Sequence, residues 1–269
     1  MTPDPALACL EGVIGAMPAL AVAVSGGVDS LTLAAVAHRV LGERARMHHA
    51  VSPAVPAEAT ARTRALATAR GWALDVFDAG EFGDPRYRAN PANRCFFCKT
   101  NLYGAVASRT RDLIASGTNL DDLGEYRPGL IAAEDHGVRH PFVEAGIGKA
   151  GVRRLALALG LGEVAELPAS PCLSSRVETG IRIEAATLGA VHAAEQLVAA
   201  ALRPRTVRCR VRPAGVVVEL DKAALAALDA ATERDLQARL AAVLEGAGLG
   251  SPVRFAPYRV GSAFLRGSA

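Results

Sequence analysis

Residues 20–30 read LAVAVSGGVDS: five apolar residues, a paired-glycine turn between serines, and then a pattern with apolar residues at helical spacing over 31–41. A continuous apolar run that stops at glycine behaves as a strand buried on both faces, and a strand of that kind needs helices above and below it. This one segment therefore restricts the chain to an α/β sheet with its first turn at a strand's carboxyl end.

The following segments agree. Residues 46–51 read as a second strand, 57–70 as an Ala-rich helix stopped by Gly71, and 73–77 as a third strand. Residues 97–108 read as a helix and 112–116 (DLIAS) as a fourth strand. Strand and helix alternating at this spacing predict a doubly wound, mostly parallel sheet, with ligands at the carboxyl ends of its strands. After Pro168 the pattern changes. A linker over 168–180 leads to a helix over 183–202, β-like runs at 205–212 and 216–220, and an Ala/Leu-rich helix over 222–244. The expectation is two domains: 1–165, and a smaller α+β domain over 166–269 serving substrate binding or oligomerisation.

Composition bounds what this architecture can do. The 269 residues are 51% hydrophobic, enough for a sizeable core, and the net charge of +3 is too small to attract nucleic acid by bulk charge. No apolar run approaches a membrane span, and Met1-Thr2-Pro3-Asp4 lacks the basic start of a signal peptide, so a cytoplasmic chain without membrane partners is expected. Homo-oligomers are common among such enzymes, and one is expected here. Five cysteines in a reducing compartment point to metal binding or catalysis rather than disulfides.

The glycines of Ser25-Gly26-Gly27-Val28-Asp29-Ser30 let backbone approach a ligand, and N–H groups at a helix start suit an anion. No Gly-Lys-Ser/Thr follows, and the stretch is not G-x-G-x-x-G. It resembles the pyrophosphate-binding loop of the N-type ATP pyrophosphatases, which split ATP between its α and β phosphates and adenylate a substrate oxygen. The resemblance implies that Ser25, Gly26, Gly27, Asp29 and Ser30 cradle pyrophosphate, with Asp29 helping to hold Mg²⁺. Residues 116–122 (SGTNLDD) resemble that family's second nucleotide segment, which makes Asp122 a magnesium or catalytic-site residue. Residues 144–149 (EAGIGK) resemble the segment that supplies a phosphate-contacting lysine, here Lys149. The usual pattern there has Thr before the lysine and Glu two after it; this chain has Gly148 and Gly151.

The cysteines select further. Cys95 and Cys98, in RCFFCK at 94–99, stand three apart at a helix start, where both thiols can face one ligand and the helix dipole favours thiolates. Structural zinc wants four ligands. Cys172, in PASPCLSSR at 168–176, is an obvious third, and His48 or His49 is a candidate fourth or a pocket wall. Three thiolates without a clear fourth ligand suit a 4Fe–4S cluster with one open iron site.

Taken with residues 117–129 (GTNLDDLGEYRPG) and 258–262 (YRVGS), these segments resemble the LarE family, the ATP-dependent sulfur transferases of nickel-pincer nucleotide biosynthesis. The resemblance implies that ATP adenylates a carboxylate of a pyridinium biscarboxylate mononucleotide and that sulfur then attacks the acyl-adenylate. In three-cysteine members, Cys95, Cys98 and Cys172 would hold a 4Fe–4S cluster whose extra sulfide is donated. In single-cysteine members the residue at the Cys172 position gives up its own sulfur. Arg176 follows the cysteine as a catalytic candidate. Arg210 and Arg212 alternate onto one strand face, and by the resemblance they bind the substrate phosphate. Glu195 and Glu219 are candidate acidic site residues, whereas Cys9 and Cys209 have no motif context. A tRNA thiolase is the enzymatic rival; +3 and the lack of a separate RNA-binding segment argue against it. A zinc-holding ATP-binding module and an amide-forming synthetase remain as further alternatives.

Overall fold

A computed structural model of the chain describes residues 4–124, 127–169, 171–250 and 252–264. Glu125, Tyr126 and Ser170, which fall within the motif stretches above, lie outside the described residues. The contacts divide into two compact units, one formed by residues up to 84 together with 93–170, the other by 85–92 together with the chain from 171 onward.

The first unit is built on a four-stranded parallel sheet in the order β3-β2-β1-β4, with β1 at Leu20–Ala23, β2 at Ala45–Ala50, β3 at Ala73–Phe77 and β4 at Leu113–Ser116. Its helices are α1 (Pro5–Gly15), α2 (Val28–Leu41) and α3 (Ala57–Arg70), followed by α5 (Arg94–Ala107), α6 (Pro128–Asp135), α7 (Pro141–Glu144), α8 (Lys149–Ala158) and α9 (Gly162–Ala165); α4 (Pro85–Arg88) belongs to the second unit. The two-residue period of β1 sets the layers. Leu20 and Val22 join a core with α1, α2 and α8, while Ala21 faces the opposite core with Tyr103 and Val106 of α5. Ten of the 14 residues of α2 are buried, so this helix is nearly enclosed, and each of Leu31, Leu33 and Leu41 removed from water is worth roughly 1.5–3 kcal/mol.

The strand order places the topological switch between β1 and β4. The connection from β1 runs toward β2 on one side, and β4 flanks β1 on the other, which opens a crevice at their carboxyl ends. The loops that follow β1 and β4 are the two segments singled out as nucleotide-side.

The second unit carries a three-stranded sheet, β5 (Val207–Arg212), β6 (Gly215–Leu220) and β7 (Val253–Pro257), with β5–β6 antiparallel and β6–β7 parallel. Helices α10 (Ala185–Leu202) and α12 (Ala230–Glu245) cover it, with the short α11 (Lys222–Ala226) between β6 and α12. Residues 85–92 are stitched into this unit: Tyr87 Oη lies 2.6 Å from Ser174 Oγ, and Asn90 Nδ2 donates to the carbonyls of Glu178 (2.9 Å) and Ile181 (2.8 Å).

Several expectations shift. The helix expected over 97–108 begins at Arg94, placing both cysteines inside its first turns. The single helix expected over 222–244 is two, because Asp229 caps a new start by accepting from the amides of Ala231 and Thr232. Strand β7 and helices α6, α7 and α9 are short, so periodicity does not announce them, whereas α8, with Val152, Leu155 and Ala156 buried on one face, carries a helical period. One segment does reach a membrane span in length and apolarity: α10, 18 residues with a mean hydropathy of 1.3, which packs on β5 and α12.

Candidate functional site

The loop between β1 and α2 is tied together by its own serines. Ser30 Oγ accepts from the Ser25 amide (3.0 Å) and donates to the Gly27 carbonyl (3.2 Å), and the two hydroxyls lie 3.1 Å apart. Gly26 sits at φ +80°, and a Cβ there would meet the Ala59 carbonyl oxygen at 2.6 Å, so α3 presses directly on the loop. Arg62, one turn along α3, donates to the Gly26 carbonyl (3.1 Å). Gly27 is the N-cap of α2 and brings no capping side chain, which leaves the helix start as backbone N–H groups of the kind that bind anions.

From β4 a second loop closes on the same helix end. A Cβ on Gly117 would fall 2.8 Å from the carbonyl carbon of Asp29 and from the amide nitrogen of Ser30. Only glycine permits this approach, and it brings Asn119 to Asp29: Nδ2 donates to Asp29 Oδ1 at 3.2 Å. Asp122 turns back to accept from the Asn119 amide (3.0 Å) and pairs with Arg127 (2.9 Å). Lys149, the first residue of α8, reaches the other oxygen of Asp29 with its Nζ at 2.5 Å. Asp29, Asp122 and Lys149, chosen from three separated sequence segments, are thus linked around one helix N-terminus. Asn119 and Asp121 belong to the same arrangement. Both lie in the 116–122 stretch, but a single polar residue in a loop carries no periodic signal that assigns it a partner.

The start of α8 shows why Gly148 and Gly151 occupy their positions. The cap comes from Asp121, whose Oδ2 accepts from the Lys149 amide at 2.5 Å. A side chain at Gly151 would meet Ile147 Cγ2 at 2.8 Å. Beside this turn lies a cleft of about 250 Å³, lined by Ala6, Asp121, Ile147, Lys149 and Arg154.

Both histidines of β2 are buried. His49 Nδ1 contacts the Val24 carbonyl (2.8 Å) and Nε2 the Thr60 hydroxyl (2.9 Å). Burial holds its pKa below the usual histidine value, so the ring is neutral, with Nδ1 donating and Nε2 accepting. Burial lowers His48 in the same way, against the opposing pull of Asp75. His49 is therefore a bracket between β1 and α3.

Cys95 and Cys98 stand on one face of α5, both half-buried. Among the described residues, no group of three or more His, Cys, Asp or Glu is gathered so as to hold a metal ion.

In the second unit Cys172 is exposed and stands at the N-cap position of a 3-10 turn at Leu173–Arg176, where its carbonyl, not its thiol, accepts from the Ser175 amide (3.0 Å). Arg176 supports that turn from inside. It pairs bidentately with Glu195 (2.9 and 3.0 Å), and its Nη1 donates to the carbonyls of Pro171 (2.5 Å) and Cys172 (3.1 Å). Arg210 pairs with Glu219 (3.0 Å) and donates to the Ser175 carbonyl (3.0 Å), whereas Arg212 bridges Glu219 (3.2 Å) and Glu178 (3.0 Å). Arg176 and Arg210 are buried, and Arg212 is half-exposed. The acidic candidates Glu195 and Glu219 are the counter-charges of these arginines, and Glu178 joins them. Cys209 is fully buried, and desolvation pushes its thiol pKa far up, so it behaves as packing.

No protein-family model matches the chain. It is 40% identical over 190 residues to an uncharacterised protein of Synechocystis sp., an alignment that spans 69% of this chain and 70% of that protein. It is 33% identical over 93 residues to an uncharacterised protein of Methanocaldococcus jannaschii, spanning 33% of this chain and 36% of the other. It is also similar to the pyridinium-3,5-bisthiocarboxylic acid mononucleotide synthase of Lactiplantibacillus plantarum, at 29% identity over 221 residues, 80% of this chain and 79% of the synthase.

Proposed function

For a chain that belongs to the family of the Synechocystis protein and is LarE-like over 80% of its length, we propose an ATP-dependent sulfur transferase whose substrate is a pyridinium biscarboxylate mononucleotide. The observation that carries this reading is the convergence of the 25–30 loop, Asn119 and Lys149 on the first turn of α2.

The chemistry follows from those groups. A substrate carboxylate oxygen forms a bond to the α-phosphorus of ATP, the α–β bridging bond breaks, and pyrophosphate leaves. The amides of Gly26, Gly27 and the first turn of α2, with the hydroxyls of Ser25 and Ser30, receive the charge that builds on the leaving group. The Lys149 ammonium, paired with Asp29 in the free protein, adds a positive charge to the same place. Asp29 and Asp122 offer partly exposed carboxylate oxygens, the hard donors Mg²⁺ prefers, and they are its proposed ligands. Sulfur then attacks the activated carbonyl carbon, and AMP departs in place of a poor leaving group.

For the sulfur source we favour the cluster reading, on donor chemistry: three thiols, with Cys95 and Cys98 on one helix face and Cys172 exposed. A 4Fe–4S cluster held by Cys95, Cys98 and Cys172 would supply a sulfide. Arg176 holds the Cys172 turn, and Arg210 and Arg212 are proposed for the substrate's phosphate. In this reading the first unit activates the carboxylate, the second serves substrate binding or oligomerisation, and the enzyme is cytoplasmic.

The test combines two measurements on anaerobically purified protein. Pyrophosphate release from ATP must depend on the biscarboxylate mononucleotide and fall by at least about a hundredfold in Lys149→Ala, the scale of losing one charge-stabilising donor. Iron and acid-labile sulfide must accompany the chain. An intact-mass loss of one H₂S after turnover, without iron, replaces the cluster with sacrifice of Cys172. No pyrophosphate release with this substrate overturns the whole reading.

A further inference from the structure

Four residues from three segments close a ring. Asn119 Nδ2 donates to Asp29 Oδ1 (3.2 Å), and the Asp121 amide donates to Asn119 Oδ1 (3.0 Å). The Lys149 amide donates to Asp121 Oδ2, and Lys149 Nζ returns to Asp29 Oδ2, both at 2.5 Å. A backbone bond from the Leu120 amide to the Ile147 carbonyl (3.1 Å) ties the two loops beside it. Within this ring Asp121 is the one carboxylate that touches Lys149 through backbone rather than side chain.

Helix α8 starts on a residue that cannot cap it. Gly148 holds the extended N-cap conformation (φ −94°, ψ −177°), open to any amino acid, yet no side chain is there to accept an amide. The Asp121 carboxylate fills the place: a Cβ on Gly148 would lie 3.1 Å from Asp121 Oδ2. A local cap and the Asp121 cap therefore compete for one volume. A carboxylate there also meets the positive end of the α8 dipole.

We infer that Asp121 is a positioning residue: by capping α8 from the neighbouring loop it sets where Lys149 begins and so holds the ammonium at Asp29. The consequence is a reversal of sign between two substitutions. In the parent protein, Gly148→Ser crowds the carboxylate already in place. In Asp121→Ala that carboxylate is gone, and the new serine hydroxyl can cap the helix locally by accepting from the amide of Ala150 or Gly151.

The inference rests on the proposed nucleotide reading, so the experiment has a nucleotide arm and an arm independent of it. The first is equilibrium binding of Mg·ATP to the parent, Asp121→Ala, Gly148→Ser and the double variant. Asp121→Ala is expected to weaken binding about tenfold, the worth of one charged helix cap. Gly148→Ser weakens binding in the parent but restores it in Asp121→Ala to within about threefold of the parent. The second arm is amide hydrogen exchange over the first turn of α8 without nucleotide, where protection of Lys149 falls in Asp121→Ala and protection of Ala150 or Gly151 rises in the double variant. If the parent fails to bind Mg·ATP, the functional reading falls and the exchange arm alone decides the cap. Asp121→Ala binding as tightly as the parent, or Gly148→Ser acting with the same sign in both backgrounds, overturns the inference. Rescue by an added serine also separates lost positioning from misfolding, which such a serine would not repair.

Discussion

Replacing Gly26 by alanine tests the idea that the 25–30 loop is shaped by backbone approach rather than by its polar groups. Two costs follow from the local geometry. At φ +80° a residue with a Cβ is in the left-handed region, costing roughly 1–2 kcal/mol. That Cβ would also stand 2.6, 2.9 and 3.0 Å from the oxygen, Cβ and carbonyl carbon of Ala59. Two of those three atoms are backbone of α3, which cannot rotate away, so overpacking adds about 1–3 kcal/mol. Together roughly 2–5 kcal/mol is expected, against a total stability for a domain of about 5–15 kcal/mol. Gly27→Ala is the internal control: its φ is −89° and its nearest neighbour, Ser25 Oγ, is 3.6 Å away. Only the weak preference against alanine at an N-cap applies there, about 0.5–1 kcal/mol. Urea denaturation of both variants, followed by a signal from Trp72 in the first unit's core, measures the difference. Equal destabilisation by the two substitutions would refute the argument that contact with α3 dictates Gly26.

Further outcomes are expected. Burial is the main cause lowering the pKa of His48, His49 and His140, so the unfolded chain binds more protons than the folded one as pH falls through about 6.5. Stability is therefore fully present above that value and declines below it, and a urea midpoint that stays flat from about pH 7.5 to 5.5 would contradict this. Arg176→Ala leaves Glu195 buried without its partner and should cost about 3–5 kcal/mol, whereas Arg212→Ala, at a half-exposed side chain, should cost no more than about 1–2 kcal/mol; equal shifts in denaturation midpoint would refute the ranking. Iodoacetamide on the native, cluster-free chain should label the exposed Cys9 and Cys172 and spare Cys209 until denaturant is added; early labelling of Cys209 would show that its enclosure is wrong.

Much of the first unit was legible because its signals are local. The apolar run 20–24, the glycine stop at residue 71 and the run at 73–77 each mark an element by a pattern confined to a few adjacent residues. The Ala/Leu-rich stretch from residue 222 misled because alanine and leucine propagate a helix regardless, and only the Asp229 cap marks the break between α11 and α12. Strand β7 was invisible, since five residues with mixed burial draw their stability from pairing with β6. Asp29, Asp122 and Lys149 could be picked out by resemblance. Asn119 and Asp121, which join them, could not, because a hydrogen bond across 28 or 90 positions leaves no trace in spacing.

By itself, the sequence determined the strand–loop–helix unit, the parallel sheet that a doubly buried strand demands, and the residue types at the helix start. Those follow from steric and solvent constraints acting over a few residues. Tertiary structure decided which of them meet. Gly117 is needed because β4 runs beside β1 and its loop crosses the first turn of α2. Gly148 can lack a capping side chain because Asp121 arrives from another segment to take its place. Arg176, a catalytic candidate by its place after Cys172, is a buried partner of Glu195, and Arg210, one of two arginines on a strand face, is a buried partner of Glu219. A charge's role depends on what surrounds it, and packing alone sets those surroundings.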